Sequence, residues 1–301
     1  MNGFLNVNKP AGRTSSDVVV FVRRRLPKGT AVGHGGTLDP EASGVLPVCV
    51  GAATRLFDYI IDKQKTYVAC IRLGVETDTQ DATGRVVATR PVTAAEDDLR
   101  AALPRFIGDI RQVPPMYSAL KRDGKRLYKL ARRGESVALE PRDCRVDGID
   151  CLGPEGADTY LLRIRCGKGV YIRTLCHDIG RALGCGAHML SLERTAAGIF
   201  DIDGALTLDQ IDALGARGAL ETALIPMDAP LSHLPAVRVG ERSRHAVLNG
   251  NPLKAAWLEA PAPQAPAVRV YLNDEFAGIG APQPDGGVKF RAMLYQAEDR
   301  P

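Results

Sequence analysis

The chain has 301 residues, 45% of them hydrophobic and 25% charged, with a formal net charge of +4. That balance supports a sizeable core and excludes wholesale disorder, while the small positive charge permits an anionic partner without requiring one. No stretch approaches the apolar length of a membrane span, and the N-terminal MNGFLNVNKPAGR lacks the basic-then-apolar order of a secretory signal, so a cytoplasmic protein is expected.

In chain order, residues 4–7 alternate as a short strand, and Lys9, Pro10, Ala11 and Gly12 turn the chain toward a helix that Ser15 or Ser16 can cap and that stops near Pro27 and Gly29. A glycine-rich loop follows around His34. Residues 67–73, YVACIRL, place Tyr67, Ala69, Ile71 and Leu73 on one face of a half-buried strand. Residues 84–89 and 160–166 read as further strands, and residues 94–106, 126–133 and 172–183 carry helical spacing. The order is mixed, without regular βα alternation, which predicts an α+β fold with a largely antiparallel sheet flanked by helices.

Near residues 226–235 the helical segments end. Beyond them residues 236–239, 268–272 and 288–294 alternate in the strand period between turn-forming stretches, so a small β-barrel module is expected, with the division at 1–230 and 231–301. Length favours the same division into one large and one small unit. The seven cysteines include no CxxC pair and are read as reduced. Cys166, Cys176, His177, Cys185 and His188 lack the paired spacing of structural zinc ligands, so they are read as core residues and no metal is expected.

The most informative stretch is residues 33–48, GHGGTLDPEASGVLPV. Its glycines allow tight backbone conformations, and Pro40 biases Asp39 toward extended geometry, so a carboxylate is presented from a constrained loop. From residue types alone, a turn in which Asp39 caps its own backbone explains the loop equally well. It is neither a P-loop nor a dinucleotide fingerprint.

The longer string GHGGTLDPEASGVLPVCVGAATR resembles the catalytic motif of the bacterial TruB family of tRNA pseudouridine-55 synthases. Further stretches agree in the same order. They are Lys9-Pro10 with Gly12, Ser15 and Ser16; Lys65-Thr66-Tyr67; residues 73–84 with Thr77, Asp78, Thr79, Gln80 and Asp81; residues 114–128 with PPMYSA at their start; and residues 169–175, GVYIRTL. Glu41 and Ser43 depart from the residues usual there, but neither replaces one assigned to the chemistry. The likeness covers the chain to about Leu224. The tail resembles, more weakly, the PUA-type RNA-binding module of bacterial members.

The resemblance implies a pseudouridine synthase fold and isomerisation of the T-arm uridine of tRNA at position 55, after the nucleotide is flipped into a pocket. The C1′–N1 bond breaks, the base turns, and C5 rejoins C1′ without net redox change, so no cofactor is required. It implies Asp39 as the catalytic carboxylate, which could stabilise charge at C1′, attack it, or help remove a C2′ proton. A buried carboxylate needs a fixed cation to stay ionised, and Arg173 is the counterpart. Tyr67 would stack on the base and assist removal of the C5 proton, Leu192 would wall the pocket, and His34, Tyr171 and Lys9 would contact the substrate. The residues alone favour a core reading for Tyr67 and Leu192, and allow His34 to be a group satisfying its own loop.

Residues 121–133, KRDGKRLYKLARR, hold Lys121, Arg122, Lys125, Arg126, Lys129, Arg132 and Arg133 around apolar residues. Such a helix could turn its cations to RNA phosphates or simply to water. The expected partner is the tRNA T-arm stem-loop, with no membrane and no obligate protein partner, the chain acting as a monomer. Two other functions fit parts of the pattern. A non-catalytic tRNA-binding or RNA-folding protein would not need Asp39, Tyr67 and Arg173 together, and a nucleoside hydrolase would need a water-activating group that the sequence does not advertise.

Overall fold

The computed structural model describes residues 1–61, 63–115, 121–122, 125–126, 137 and 139–294. The chain begins with β1 (Gly3–Lys9), α1 (Ser15–Arg23), β2 (Val32–His34), β3 (Ser43–Val50), the short α2 (Phe57–Ile61) and β4 (Lys65–Leu73). Next come the paired β5 (Val75–Thr77) and β6 (Val86–Thr89), then α3 (Glu96–Ala102) and β7 (Gly108–Gln112). The two-residue β8 (Lys121–Arg122) and β9 (Lys125–Arg126) precede β10 (Arg142–Gly156), β11 (Thr159–Cys166), α4 (Ile172–Ala182), β12 (Ala187–Ala197), β13 (Phe200–Asp201) and α5 (Leu208–Ala216). The last elements are β14 (Ala236–Val239), α6 (Arg244–Leu248), β15 (Val268–Leu272), β16 (Glu275–Pro282) and β17 (Val288–Met293).

One large sheet runs β1-β3-β12-β4-β11-β10-β7, with β2 added to β3 and β13 to β12. Every pair in it is antiparallel except β12 with β3, so the expected largely antiparallel α+β architecture is what forms. In β4 the alternation places Tyr67, Ala69, Ile71 and Leu73 in the core. Opposite them pack Ile172, Leu175 and Ile179 of α4, together with Leu162 and Ile164. A second cluster buries Val18, Val19 and Val22 of α1 against Leu5, Val7, Leu46 and Val48.

Two local expectations change. Thr14, rather than Ser15 or Ser16, caps α1, closing a capping box with Asp17 (Asp17 N to Thr14 Oγ1 3.1 Å, Thr14 N to Asp17 Oδ2 2.9 Å). Ser15 is needed elsewhere, in the anchorage of the loop that carries Asp39. Leu192 lies on a central strand, β12. Arg126 stands in a strand paired with Lys121, where the spacing predicts a helix, while residues 127–133 fall outside the described residues.

The tail forms a four-stranded sheet, β14-β15-β16-β17. Its edge strands are both bridged to the segment 253–258, through Val239 with Leu258 and Leu253 with Val288, which closes the ring expected of a small barrel. The ring is not independent of the large sheet. Ile279, Leu294 and Ala267 share one buried cluster with Phe4, Val45, Ala53 and Leu56, and the Tyr271 hydroxyl donates to Asp228 Oδ2 at 2.7 Å. Ile279→Ala should therefore destabilise the whole chain by about 3 kcal/mol and lower Tm by roughly 6 °C in one transition. A calorimetric trace that splits into two transitions, with only the smaller one displaced, would contradict the shared core.

Candidate active site

The loop between β2 and β3 carries Asp39, and three separate parts of the chain hold it still. From the start of α1, the Ser15 hydroxyl accepts from Leu38 N at 2.9 Å and donates to Leu38 O at 3.1 Å. From the end of β1, Lys9 is fully buried and donates from Nζ to Pro10 O (3.0 Å), Arg13 O (2.7 Å) and Pro40 O (2.9 Å). From β12, Arg194 donates from Nε to Val45 O at 2.7 Å and from Nη2 to Gly36 O at 3.2 Å. Leu38 itself is sealed into the main core.

Glycine is required where the loop re-enters the sheet. Gly44 has φ +99°, and a Cβ there would sit 2.3 Å from the Arg194 carbonyl oxygen. The close passage of β3 along β12 depends on that missing atom.

The expected pairing of Asp39 with Arg173 is made at 3.0 Å between Oδ2 and Nη2. Arg173 is buried near the N-terminus of α4, whose position is set from β7. There Gln112 accepts from Tyr171 N at 3.0 Å and donates to Tyr171 O at 3.2 Å. Asp39 keeps a partly exposed side chain facing outward, 43% accessible, so it is the reachable member of the pair. Desolvation is the largest influence on its carboxyl and pushes it above the ordinary range, with Arg173 pulling it back and Asp81 adding to the rise.

Asp81 joins this pair, a contact that residue types alone do not single out. Its Oδ2 lies 3.3 Å from Arg173 Nη1, so one guanidinium bridges two carboxylates. Its Oδ1 accepts from Thr79 Oγ1 (2.7 Å), Thr83 N (2.9 Å) and Thr83 Oγ1 (2.6 Å). The turn closes tightly enough that a Cβ on Gly84 would meet Thr79 Oγ1 at 2.3 Å. The stretch is recognisable as a matching string, but nothing in its spacing says that Asp81 reaches Arg173 across 92 positions.

Tyr67 and Leu192 line the same buried cluster as Leu38, Ile172 and Met189, on adjacent strands of the sheet. Burial raises the Tyr67 phenol above its ordinary value, while the Arg194 charge opposes the rise. His34 ends β2 half-buried. Burial, and then the nearby Arg194 charge, lower its pKa, which keeps the ring neutral at pH 7, and its Nδ1 has no partner among the described residues.

Lys9 departs from the substrate contact expected of it. All three ammonium donors go to backbone carbonyls in a fully buried position, and burial lowers the group to about 8. It fixes the loop next to Asp39 instead. In the basic stretch, Lys121, Arg122, Lys125 and Arg126 form the two-strand turn, and Lys129 and Arg132 lie outside the described residues.

The arrangement presents one outward carboxylate backed by a shared guanidinium, beside a tyrosine and a leucine at the edge of an apolar core. Comparison with known proteins gives the same direction. The sequence profile of the TruB family pseudouridylate synthase N-terminal domain matches residues 23–172, and that of the tRNA pseudouridylate synthase B C-terminal domain matches residues 173–232. The chain is 44% identical to tRNA pseudouridine synthase B of Stutzerimonas stutzeri (strain A1501), over 98% of this chain and 96% of that protein. It is 43% identical to tRNA pseudouridine synthase B of Alkaliphilus oremlandii (strain OhILAs), over 99% of this chain and 100% of that one. Among solved structures it is similar to a chain in a crystal structure of a Cbf5-Nop10-Gar1 complex, with a TM-score of 0.75 and 29% identity over 98% of this chain and 86% of that one. No helix among the described residues is long and apolar enough to cross a membrane.

Proposed function

The chain belongs to the TruB family of pseudouridylate synthases and isomerises a uridine of tRNA to pseudouridine; we propose that this uridine is the one at position 55 of the T arm and that Asp39 is the carboxylate acting on it. The observation that carries the proposal is the Asp39–Arg173 pair, in which a fixed cation opposes desolvation of the more open of the two bridged carboxylates. The nucleotide is extruded from its loop, its sugar comes to Asp39, and its base lies against Tyr67 with Leu192 behind it. Asp39 stabilises or attacks C1′ as the glycosidic bond opens, Tyr67 assists proton removal at C5, and the pocket retains the free base until C5 meets C1′. His34, with an unsatisfied ring nitrogen near the loop, and Tyr171 contact the flanking RNA.

Residues 1–230 act as the catalytic unit and residues 231–301 as a PUA-like RNA-binding module, the two joined by the core that Ile279 and Phe4 share. Unmodified tRNA carrying a label at uracil C5 tests the function. Isomerisation predicts release of label with the base retained in the RNA. Free uracil would indicate hydrolysis instead, and binding without either product a non-catalytic RNA-folding role.

The basic residues Lys121, Arg122, Lys125, Arg126, Lys129 and Arg132 serve the RNA backbone. Neutralising three of them should weaken tRNA binding and reduce the slope of log K against log salt by about 2 to 3. A titration across salt concentrations checks it, and an unchanged slope would remove the cluster from the interface.

A further inference from the structure

The first turn of α4 places Arg173, yet it lacks the usual means of fixing a helix start. Its N-cap residue, Tyr171, makes no capping bond with its side chain, and no acidic residue stands in the turn, where the helix dipole favours negative charge and disfavours a cation such as Arg173. The chain also enters the helix through Gly169, at φ +82° and with nothing within 4 Å of where a Cβ would lie, so packing does not fix it there. The missing cap comes from another element. Gln112, buried at the end of the edge strand β7, meets both backbone groups of Tyr171 with its amide, accepting from N at 3.0 Å and donating to O at 3.2 Å. A glutamine at the third helical position would reach back to the N-cap N–H in the same way, but Thr174 holds that position and its hydroxyl donates to Gln80 Oε1 at 2.7 Å. The Gln112 amide is itself set, because its Oε1 also accepts from Cys144 Sγ of β10 at 3.5 Å, and a reversed amide would turn its NH₂ toward the Tyr171 N–H.

We propose that Gln112 is a positioning residue for the isomerisation, clamping the backbone of Tyr171 so that Arg173 keeps its guanidinium between Asp39 and Asp81. The proposal rests on the reading of Asp39 as the acting carboxylate. The bridge is made at 3.0 and 3.3 Å, so a shift of about 1 Å in the turn would carry both contacts beyond hydrogen-bonding distance. Ile172, between the clamp and the guanidinium, is sealed into the same core as Leu38, which ties the turn to the Asp39 loop. The charged groups facing Asp39 are Arg173 of α4, Asp81 of its own turn and Lys9 of β1. Lys9 and Asp81 are held by other contacts, so loosening the clamp withdraws the guanidinium and leaves the Asp81 charge, which favours protonation of Asp39.

A double-mutant cycle on the full chain tests this, using Gln112→Met, which fills similar space without hydrogen-bonding groups, Arg173→Met and their combination, with Gln112→Asn as a second variant. Single-turnover rate at saturating enzyme across pH, tRNA Kd and melting temperature are read for each. Gln112→Met should slow the single-turnover step at neutral pH by about 10- to 100-fold, as expected for displacement of a positioned group, with Kd within about 3-fold. Its acid limb should move to higher pH, with the rate recovering in part as pH is raised. In the Arg173→Met background the same change should cost less than about 3-fold more, because its effect passes through the missing guanidinium. Gln112→Asn, whose shorter amide cannot span both groups of Tyr171, should move the limb in the same direction by less.

A Gln112→Met loss that is equal at every pH, that is as large in the Arg173→Met background as in the wild type, or that lies in Kd alone would overturn the proposal while leaving the role of Asp39 intact. Full turnover in Asp39→Asn would overturn the reading of Asp39 itself, and the proposal with it. Failure of both Gln112 variants to fold would assign the residue to the scaffold and overturn the positioning role.

Discussion

Asp39→Asn should leave tRNA affinity within a few-fold of the wild type and abolish label release from uracil C5, a loss of about 10⁴-fold or more in single-turnover rate. The two side chains are nearly isosteric, so the loop has no steric reason to move. Its anchors are Ser15 on Leu38, Lys9 on Pro40 O and Arg194 on Gly36 O, none of which uses the Asp39 carboxylate. Arg173 keeps Asp81 as a partner in the variant. What disappears is the negative charge facing the pocket, and with it both the electrostatic and the covalent routes to a cleaved glycosidic bond. Filter binding and the C5 release assay on the same preparation check the two halves. Residual turnover above about 1% of wild type would show that another group carries the chemistry.

Arg173→Met should have the next largest effect, and its signature lies in the pH profile. The acid limb of the wild-type rate reports protonation of Asp39, so activity falls as pH drops through a pKa already raised by burial. Without the guanidinium, Asp39 and Asp81 share a pocket with no cation bridging them, and the Asp81 charge favours protonation of Asp39 further. The limb should move to higher pH, and the rate at neutral pH should fall by about 10²- to 10³-fold, recovering in part as pH is raised. Arg173→Lys keeps a charge but not the bridge to both carboxylates, so it should fall between the two. A variant slowed to the same extent at every pH would mean that Arg173 acts only by holding α4 in place.

Much of this site is legible in residue order because local geometry and chemistry coincide there. The glycine-rich string around Asp39, the strand alternation at Tyr67 and the segment before α4 each announce themselves within about a dozen neighbours, and the resemblance to a known family joins them. What stays hidden depends on pairing across the sheet. Arg194 looks like one more charge after Leu192 and Glu193, and only the register of β12 against β4 and β3 turns it inward. The resemblance implies a substrate contact for Lys9, yet its ammonium is enclosed by carbonyls brought together from positions 10, 13 and 40. In the tail, β16 is hard to see in the sequence because its FAGIGAP run is built from small residues with little strand propensity, and its place between β15 and β17 is fixed by its neighbours. Ser15 looks like a helix cap because capping and loop anchoring use the same hydroxyl chemistry.

The triple anchorage of the Asp39 loop decides which molecule must deform when the two meet. A carboxylate carried on a loop held from β1, α1 and β12 has little freedom to reach toward an unopened RNA hairpin, so the unstacking falls to the nucleic acid. The protein behaves as a finished mould, and the ease with which a given RNA surrenders its uridine becomes a determinant of which RNAs are modified.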